Sequence, residues 1–461
     1  MNPDEIINKL RSILGSTGTV ITDKHKSSDY LTDWRGQITG QTLAIVEPQK
    51  VPDIQSVVKL CLEQNIAITP QGGNTGGCGG CIPNFTKGLN IVLSLRQLNK
   101  ILDYDPVGQT LTLESGCTLD KVQNLVKQDR LYFPVSLASS DQCTIGGNLA
   151  TNAGGCCVIQ NGMTRDNVLG IEVVLGNSEL YSDLRKLRKN NDGYDIKNIF
   201  IGSEGTLGII TAAVLKLRYM PSDYISAVIG LPDLSSAIKL IHDLRRHLER
   251  NIEAAEIFSH KCWELVNDIY EQYKLDVITS NWYMIVDIGI HHDSQKFVYH
   301  DILKSALDRF VGKSYSINLT SEGRSQAWKI RNSIPLAEKK YQNKIMRNDI
   351  SLPLSSWVQF YGDVQKLVEQ YRHASLFVFG HIGDGSLHLN VGYVQEEEKI
   401  KEGLHRIVQQ YQGSIAAEHG VGQTKVTDVE KLRSTSHNSM MRFIKKAFDP
   451  RNILNPGKVV P

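Results

Sequence analysis

A glycine-rich loop placed directly after a strand constrains this chain more than any other feature of its sequence. Residues 43–46 read as a strand, 52–64 as a helix with proline in its first turn, and 66–69 as a second strand, so the chain opens with a β-α-β unit. The next eleven residues are Pro70-Gln-Gly-Gly-Asn-Thr-Gly-Gly-Cys-Gly-Gly80, six of them glycine. Without Cβ atoms such a loop takes positive φ freely and offers its backbone N–H groups unobstructed, as a phosphate cradle requires. It is neither a Walker loop, lacking Gly-Lys-Ser/Thr, nor a Rossmann G-x-G-x-x-G opening a helix. A surface loop without a ligand is the competing reading.

Two further clusters share this character. Ser139-Ser-Asp-Gln-Cys-Thr-Ile-Gly-Gly-Asn-Leu-Ala-Thr-Asn-Ala-Gly-Gly155 packs small hydroxyl, amide and glycine residues with almost no charge, which suits a chain passing along a large flat polar ligand. Ile199-Phe-Ile-Gly-Ser-Glu-Gly-Thr-Leu-Gly-Ile-Ile-Thr211 sets glycines into an apolar run. Beyond Pro221 the glycine density falls. The organisation expected is residues 1–220, then 221–412, then a C-terminal segment 413–461. Strands and helices alternating through the middle segment predict an antiparallel sheet covered on one face by helices, an α+β arrangement.

Chemistry concentrates late in the chain. In Phe379-Gly-His381-Ile-Gly-Asp-Gly-Ser-Leu-His388-Leu-Asn390, two strand-like runs flank Asp384-Gly385. With that pair as a two-residue turn, His381 stands directly opposite His388, and Asn390 shares their face. Two neutral imidazoles at that spacing suit a divalent ion such as zinc, and Glu418, in Ala417-Glu418-His419-Gly420, is the candidate third ligand. The competing reading is two half-buried histidines bonded to backbone. Glu418 and His419 serve one site only if the strand expected over 413–422 turns, as Gly420 and Gly422 allow. Arg324 and Arg331, seven apart in a helix over 322–340, share one face.

Composition excludes more than it suggests. The 461 residues carry 51 basic and 49 acidic side chains, a formal charge of +2, which gives no case for a nucleic-acid partner. Eight cysteines without regular spacing read as reduced thiols, and the Cys78-x-x-Cys81 pair lacks a second pair. An acidic N-terminus and the lack of any stretch of 18 uncharged apolar residues argue against a targeting peptide or transmembrane segment, so a cytoplasmic location is expected.

The glycine loop at 71–80, the Ile145-Gly-Gly-Asn-Leu-Ala-Thr-Asn-Ala-Gly-Gly155 run, Arg165-Asp-Asn-Val-Leu-Gly170 and Gly202-Ser-Glu-Gly-Thr-Leu-Gly208 together resemble the vanillyl-alcohol oxidase and p-cresol methylhydroxylase flavoproteins. The nearest branch is the FAD-linked D-2-hydroxyacid dehydrogenases, which include D-lactate dehydrogenase, the glycolate oxidase flavin subunit and D-2-hydroxyglutarate dehydrogenase. The resemblance implies an α+β fold: a two-subdomain FAD-binding domain of the p-cresol methylhydroxylase type, and an antiparallel-sheet cap for the substrate. It implies FAD bound by Pro70, Gln71, Gly72, Gly73, Asn74, Thr75, Gly76 and Gly77, by Ser139, Ser140, Thr144, Gly146, Gly147, Asn148, Thr151, Asn152 and Gly154, and by Gly205, Ile210 and Asn455. Relatives that attach FAD covalently through this loop carry a histidine there; Asn74 and Thr75 imply noncovalent binding.

For chemistry it implies oxidation of a D-2-hydroxyacid to the 2-oxoacid, with His381, His388 and Glu418 on a divalent metal and His419 as base. Arg331 would pair with a substrate carboxylate, with Asn390 and Arg347 as further substrate contacts. Pro335 and Arg347 stand where hydroxyglutarate-specific relatives have threonine and lysine, and Cys156-Cys157 replaces Leu-Arg. The expected partners are the small hydroxyacid and an unidentified electron acceptor, and a homodimer is compatible with the sequence. A metallohydrolase using the His/His/Glu set leaves the three glycine clusters unexplained. A noncatalytic nucleotide-binding module leaves the histidines idle.

Overall fold

The computed structural model describes all residues except 85, 87, 276, 342–344, 393, 394 and 461, and Glu249 by its backbone only. The chain divides into two units: Met1–Gly154 with Met163–Tyr219 and Glu418–Pro461, and Gly155–Gly162 with Met220–Ala417. The excursion of Gly155–Gly162 to the second unit, directly after the second glycine cluster, is not visible in the sequence pattern.

Among the described residues the first unit has two main sheets. In the four-stranded one, Ile45–Glu47 and Ala67–Gln71 both run parallel to Asn90–Ser94, which lies between them. The expected β-α-β unit is therefore present with a third strand inserted. Its crossover helix Val51–Gln64 buries Ile54, Val57, Val58 and Cys61 in a core shared with Ile6 and Leu10. The five-stranded sheet is antiparallel and orders Ile101–Asp105, Thr110–Glu114, Gly208–Lys216, Val168–Leu175 and Leu180–Asp183. Its apolar face packs Leu113, Val173 and Leu215 with Val122, Phe133 and Phe200. Inside the second glycine cluster lies a short helix, Ile145–Thr151. Thr144 caps it by accepting from Gly147 N at 3.2 Å.

The second unit is built on an eight-stranded sheet whose central strands, Asp223–Leu231, Trp282–Ile290, Ile252–Ser259, Ser375–His381 and Ser386–Gly392, are antiparallel neighbours in that order. Every residue of Trp282–Ile290 and of Ile252–Ser259 is buried. Both faces of the sheet are thus covered, which corrects the expectation of helices on one face only. The helix Ser321–Lys340 packs with His260–Ile269 over the face that carries Tyr283, Ile285, Phe258, Phe377 and Phe379.

Two local expectations fail. The hairpin pairs His381 with Ser386, and Phe379, not His381, stands opposite His388. The turn holds four residues, because the His381 carbonyl accepts from Asp384 N and Gly385 N at 3.2 and 3.1 Å, and the Asp384 carboxylate accepts from Ser386 N and Oγ at 3.0 and 2.8 Å. A shift of two residues preserves strand parity, so His381, His388 and Asn390 keep one common face. The strand expected over 413–422 is absent among the described residues: Ser414 and Ala416 make isolated bridges to Ser351 and Asp349, and Gly420 and Gly422 take φ of 76° and 54°.

Phe258 is fully buried and stacks on Tyr283 with ring centroids 5.4 Å apart. Phe258→Ala is expected to destabilise the second unit by about 3–5 kcal/mol, read as a lower denaturant midpoint at unchanged slope.

Candidate active site

In the first unit the strand Ala67–Gln71 ends at the glycine loop, and side chains then fix the loop's outline. Gln71 Nε2 donates to the carbonyls of Tyr30 and Cys81, both at 2.8 Å. Asn74, at φ 56°, donates to those of Asp29 and Thr32 at 3.0 and 2.9 Å. Arg96 draws in the carbonyls of Gly72 and Gly73 at 3.0 and 3.2 Å. None of the backbone N–H groups of residues 72–77 has an acceptor among the described residues. A Cβ on Gly72 would lie 2.2 Å from Thr144 Oγ1, and one on Gly73 2.1 Å from the Gln142 carbonyl. The loop is a nest of donors whose shape only glycine permits.

The other expected FAD contacts gather in the same unit. Ser139 and Ser140 lie in the turn that leads to Thr144, the cap of Ile145–Thr151, and Asn152 ends that helix at φ 49°. Ser115 Oγ and Asn148 Nδ2 are buried without a hydrogen-bond partner among the described residues. Such polar groups are costly unless something satisfies them. Gly205, at φ 71°, packs against Pro70, and Ile210 is core in Gly208–Lys216. These donors and the glycine-shaped space fit a pyrophosphate-bearing cofactor such as FAD. Asn455 is 1% exposed and spends its amide on the fold: Nδ2 donates to the carbonyls of Gly80 and Glu204, and Oδ1 accepts from Lys458. Burial pushes the Cys81 thiol up to about 11, so Cys81 offers no ready thiolate.

The second unit carries a polar strip on an otherwise apolar sheet face. Glu256, fully buried, accepts from Arg331 Nε at 2.7 Å and is bonded to His381 Nδ1 at 2.5 Å. Burial alone would raise its carboxyl, but His381 and Arg331 outweigh this and hold it below the usual range. The rings of His381 and His388 are 5.6 Å apart and nearly perpendicular. Phe379 lies between the functional groups, 4.8 Å from the His388 ring and 5.0 Å beneath the Arg331 guanidinium. Asp349, not foreseen from the sequence, is the register partner of His388, and their ligand atoms lie within 4.8 Å. Imidazole nitrogens with a carboxylate form a donor set suited to a divalent transition ion.

Asn390 and Arg347 are more committed than expected. Asn390 Nδ2 donates to Glu338 Oε1 at 2.7 Å, its Oδ1 accepts from Asn348 N at 3.1 Å, and Arg347 Nε pairs with Glu338 Oε2 at 3.5 Å. Both therefore reach a ligand only through their remaining donors. Glu256, Asp287 and Glu338 were missed although the sequence holds a signal: single acids in apolar runs, as in Ile252-Glu-Ala-Ala-Glu-Ile-Phe258, need buried partners. In the first unit, Glu418 and His419 are neighbours with His419 Nε2 3.5 Å from the Glu418 carboxylate.

Comparison with known proteins assigns both parts of the chain to flavin-linked families. The family described as "FAD binding domain" matches residues 42–182, and "FAD linked oxidases, C-terminal domain" matches residues 220–459. The D-2-hydroxyglutarate dehydrogenase of Xanthomonas citri pv. viticola is 34% identical over 93% of this chain and 92% of its own. The mitochondrial D-2-hydroxyglutarate dehydrogenase of Arabidopsis thaliana is 31% identical over 99% of this chain and 81% of its own. The structure of p-cresol methylhydroxylase superposes with a TM-score of 0.77 at 18% identity, covering 99% of this chain and 96% of that one, which shows a common fold.

Gly73→Ala is expected to displace the loop and lower the flavin content of the purified protein, read from its visible absorbance; a variant as yellow as the parent would remove the loop from the cofactor site. For Glu256 the sign follows from its depressed carboxyl: its contribution is full above the unfolded value of about 4.3 and is lost as pH falls through the lower folded value. Glu256→Gln strands Arg331 and is expected to cost about 3–5 kcal/mol near neutral pH and to flatten the acid limb of the stability profile.

Proposed function

Because this chain belongs to the FAD-linked D-2-hydroxyacid dehydrogenase family, we propose that it oxidises a D-2-hydroxyacid of the lactate or 2-hydroxyglutarate type to the 2-oxoacid. The observation that carries this reading is the strip of His381, His388 and Asp349 on one sheet face, with Arg331 reaching the same strip through Glu256 from the helix Ser321–Lys340. Such a group of polar side chains, buried at a cost, calls for a ligand that uses them.

Bound FAD would supply the hydride acceptor, held noncovalently by the backbone donors of residues 72–77. Arg331 takes the substrate carboxylate. Its Nε is fixed on Glu256, which leaves the Nη pair of the fork for a planar anion. His381, His388 and Glu418 would hold a divalent ion, with zinc suited to such donors, and Asp349 would be an additional oxygen donor. Such an ion lowers the cost of deprotonating a hydroxyl. Neutral His419 accepts the hydroxyl proton at a ring nitrogen. Glu256 takes the Nδ1 side of His381, so that imidazole would ligate a metal through Nε2.

None of the eight cysteines is in a disulfide, and no described helix is long and apolar enough to cross a membrane. The thiols suit the reducing cytoplasm, where we place the enzyme.

Anaerobic mixing with a D-2-hydroxyacid is expected to bleach the flavin while the L-enantiomer does not, and a chelator is expected to abolish the bleaching until zinc is restored. Equal bleaching by both enantiomers would reject the substrate reading; indifference to the chelator would reject the metal. His419→Asn is expected to lower kcat by about 100- to 10,000-fold at unchanged flavin content.

A further inference from the structure

The stretch Gly202-Ser-Glu-Gly-Thr-Leu-Gly208 holds an acid that is placed with unusual specificity. Glu204 is 8% exposed and sits in the left-handed region at φ 51°. Its carboxylate grips the turn that follows His419: Oε1 accepts from Val421 N at 2.7 Å and Gly422 N at 3.2 Å, and Oε2 accepts from Gly422 N at 2.9 Å. Two glycines make room for it. A Cβ on Gly420 would lie 2.7 Å from Glu204 Oε1, and one on Gly80, in the cofactor loop, 2.7 Å from Oε2.

The surroundings hold the acid as firmly as it holds the turn. Asn455 donates to the Glu204 carbonyl at 2.7 Å and to the Gly80 carbonyl at 2.9 Å. Cys78 Sγ donates to the Gly420 carbonyl at 3.4 Å, and the Cys78 carbonyl accepts from Gln423 N at 3.0 Å. A carboxylate suits this position because consecutive backbone N–H groups converge on it, and charge-assisted bonds are shorter and stronger than neutral ones. The glycine loop, the turn after His419 and Asn455 meet at this acid, whose own N–H donates to the Ala150 carbonyl at 2.8 Å and whose charge is faced by Lys425 and Lys458.

We propose that Glu204 is a positioning residue for the proton-transfer step: by gripping the backbone of residues 421 and 422 it fixes His419, two residues upstream, against the glycine loop. The proposal rests on the reading of His419 as the base. It concerns the turn's backbone, so it has a readout independent of turnover.

The test uses the flavin-loaded full chain. Glu204→Gln keeps the size but turns an N–H group toward a backbone donor. It is expected to lower kcat per bound flavin about 10- to 100-fold, the scale of a misplacement of about 1 Å, with KM within about two-fold of the parent. Amide hydrogen exchange at Val421 and Gly422 is expected to quicken at least about tenfold, as local opening becomes easier. Unchanged exchange, or unchanged kcat per flavin, overturns the proposal. Should Glu204→Gln not fold, Gly420→Ala presses on the same contact from the turn side and is expected to give the same fall in kcat; no fall overturns the proposal equally. In a His419→Asn background, Glu204→Gln is expected to add almost nothing, and full additivity overturns action through His419. If His419→Asn alone leaves kcat intact, the base assignment fails, and quickened exchange in Glu204→Gln still supports the anchoring of the turn.

Discussion

The cap sheet is joined to its long helix through buried carboxylates where apolar contact would have been the simpler solution. Asp287 accepts from Arg324 Nε at 2.6 Å and Trp328 Nε1 at 2.8 Å, Glu256 from Arg331, and Glu338, on the helix itself, from Asn390. Arg324, Arg331 and Glu338 recur every seven residues, so one stripe of the helix faces successive strands. Buried ion pairs of this kind add little net stability, since desolvation offsets much of their attraction. Their physical effect is placement. One carboxylate, Glu256, orients both His381 and Arg331, so the imidazole and the guanidinium cannot move independently.

The first unit solves its recognition problem with backbone instead. Its loop holds donors in a cluster by sending carbonyls to Arg96 and side-chain amides to neighbouring carbonyls. That arrangement needs glycine at Gly72 and Gly73, because the segment around Gln142 and Thr144 approaches to within van der Waals contact. Side chains there would have fixed one charge in one place. Backbone amides spread partial positive charge along an extended ligand.

Much of this was legible from sequence, and the failures share a cause. The helix Pro3–Leu14 carries its signals locally: Asn2 and Glu5 form a capping box, and the buried Ile6, Leu10 and Leu14 recur every four residues. The histidine hairpin and the common face of His381, His388 and Asn390 follow from alternation alone, and survive a turn two residues longer than expected. What alternation does not carry is the identity of the neighbouring strand. Asp349 reaches His388, and Glu256 reaches His381, across sequence separations that no local pattern encodes. The turn length was settled by the Asp384 side chain bonding Ser386, a contact made only once the chain has already turned. Likewise the helix Ile145–Thr151 hides behind two glycines, which are there for close packing against Ser115 and Thr144. Low helix propensity is overruled by tertiary contact.

Charge accounting across the cap's polar strip bears on the chemistry. Asp287, Glu256, Glu338 and Asp349 supply four carboxylates, and Arg324, Arg331 and Arg347 three guanidinium groups. Each arginine is already paired, so an arriving substrate anion gains less from net attraction than from the planar geometry of a fork held in place. Asp349, the register partner of His388, has a carboxylate oxygen within 4.8 Å of a nitrogen of that imidazole, and a divalent cation bound there would offset carboxylate charge with its own. On the proposed reading the arginines would select the planar shape of a substrate anion, and the metal would supply the positive charge beside it.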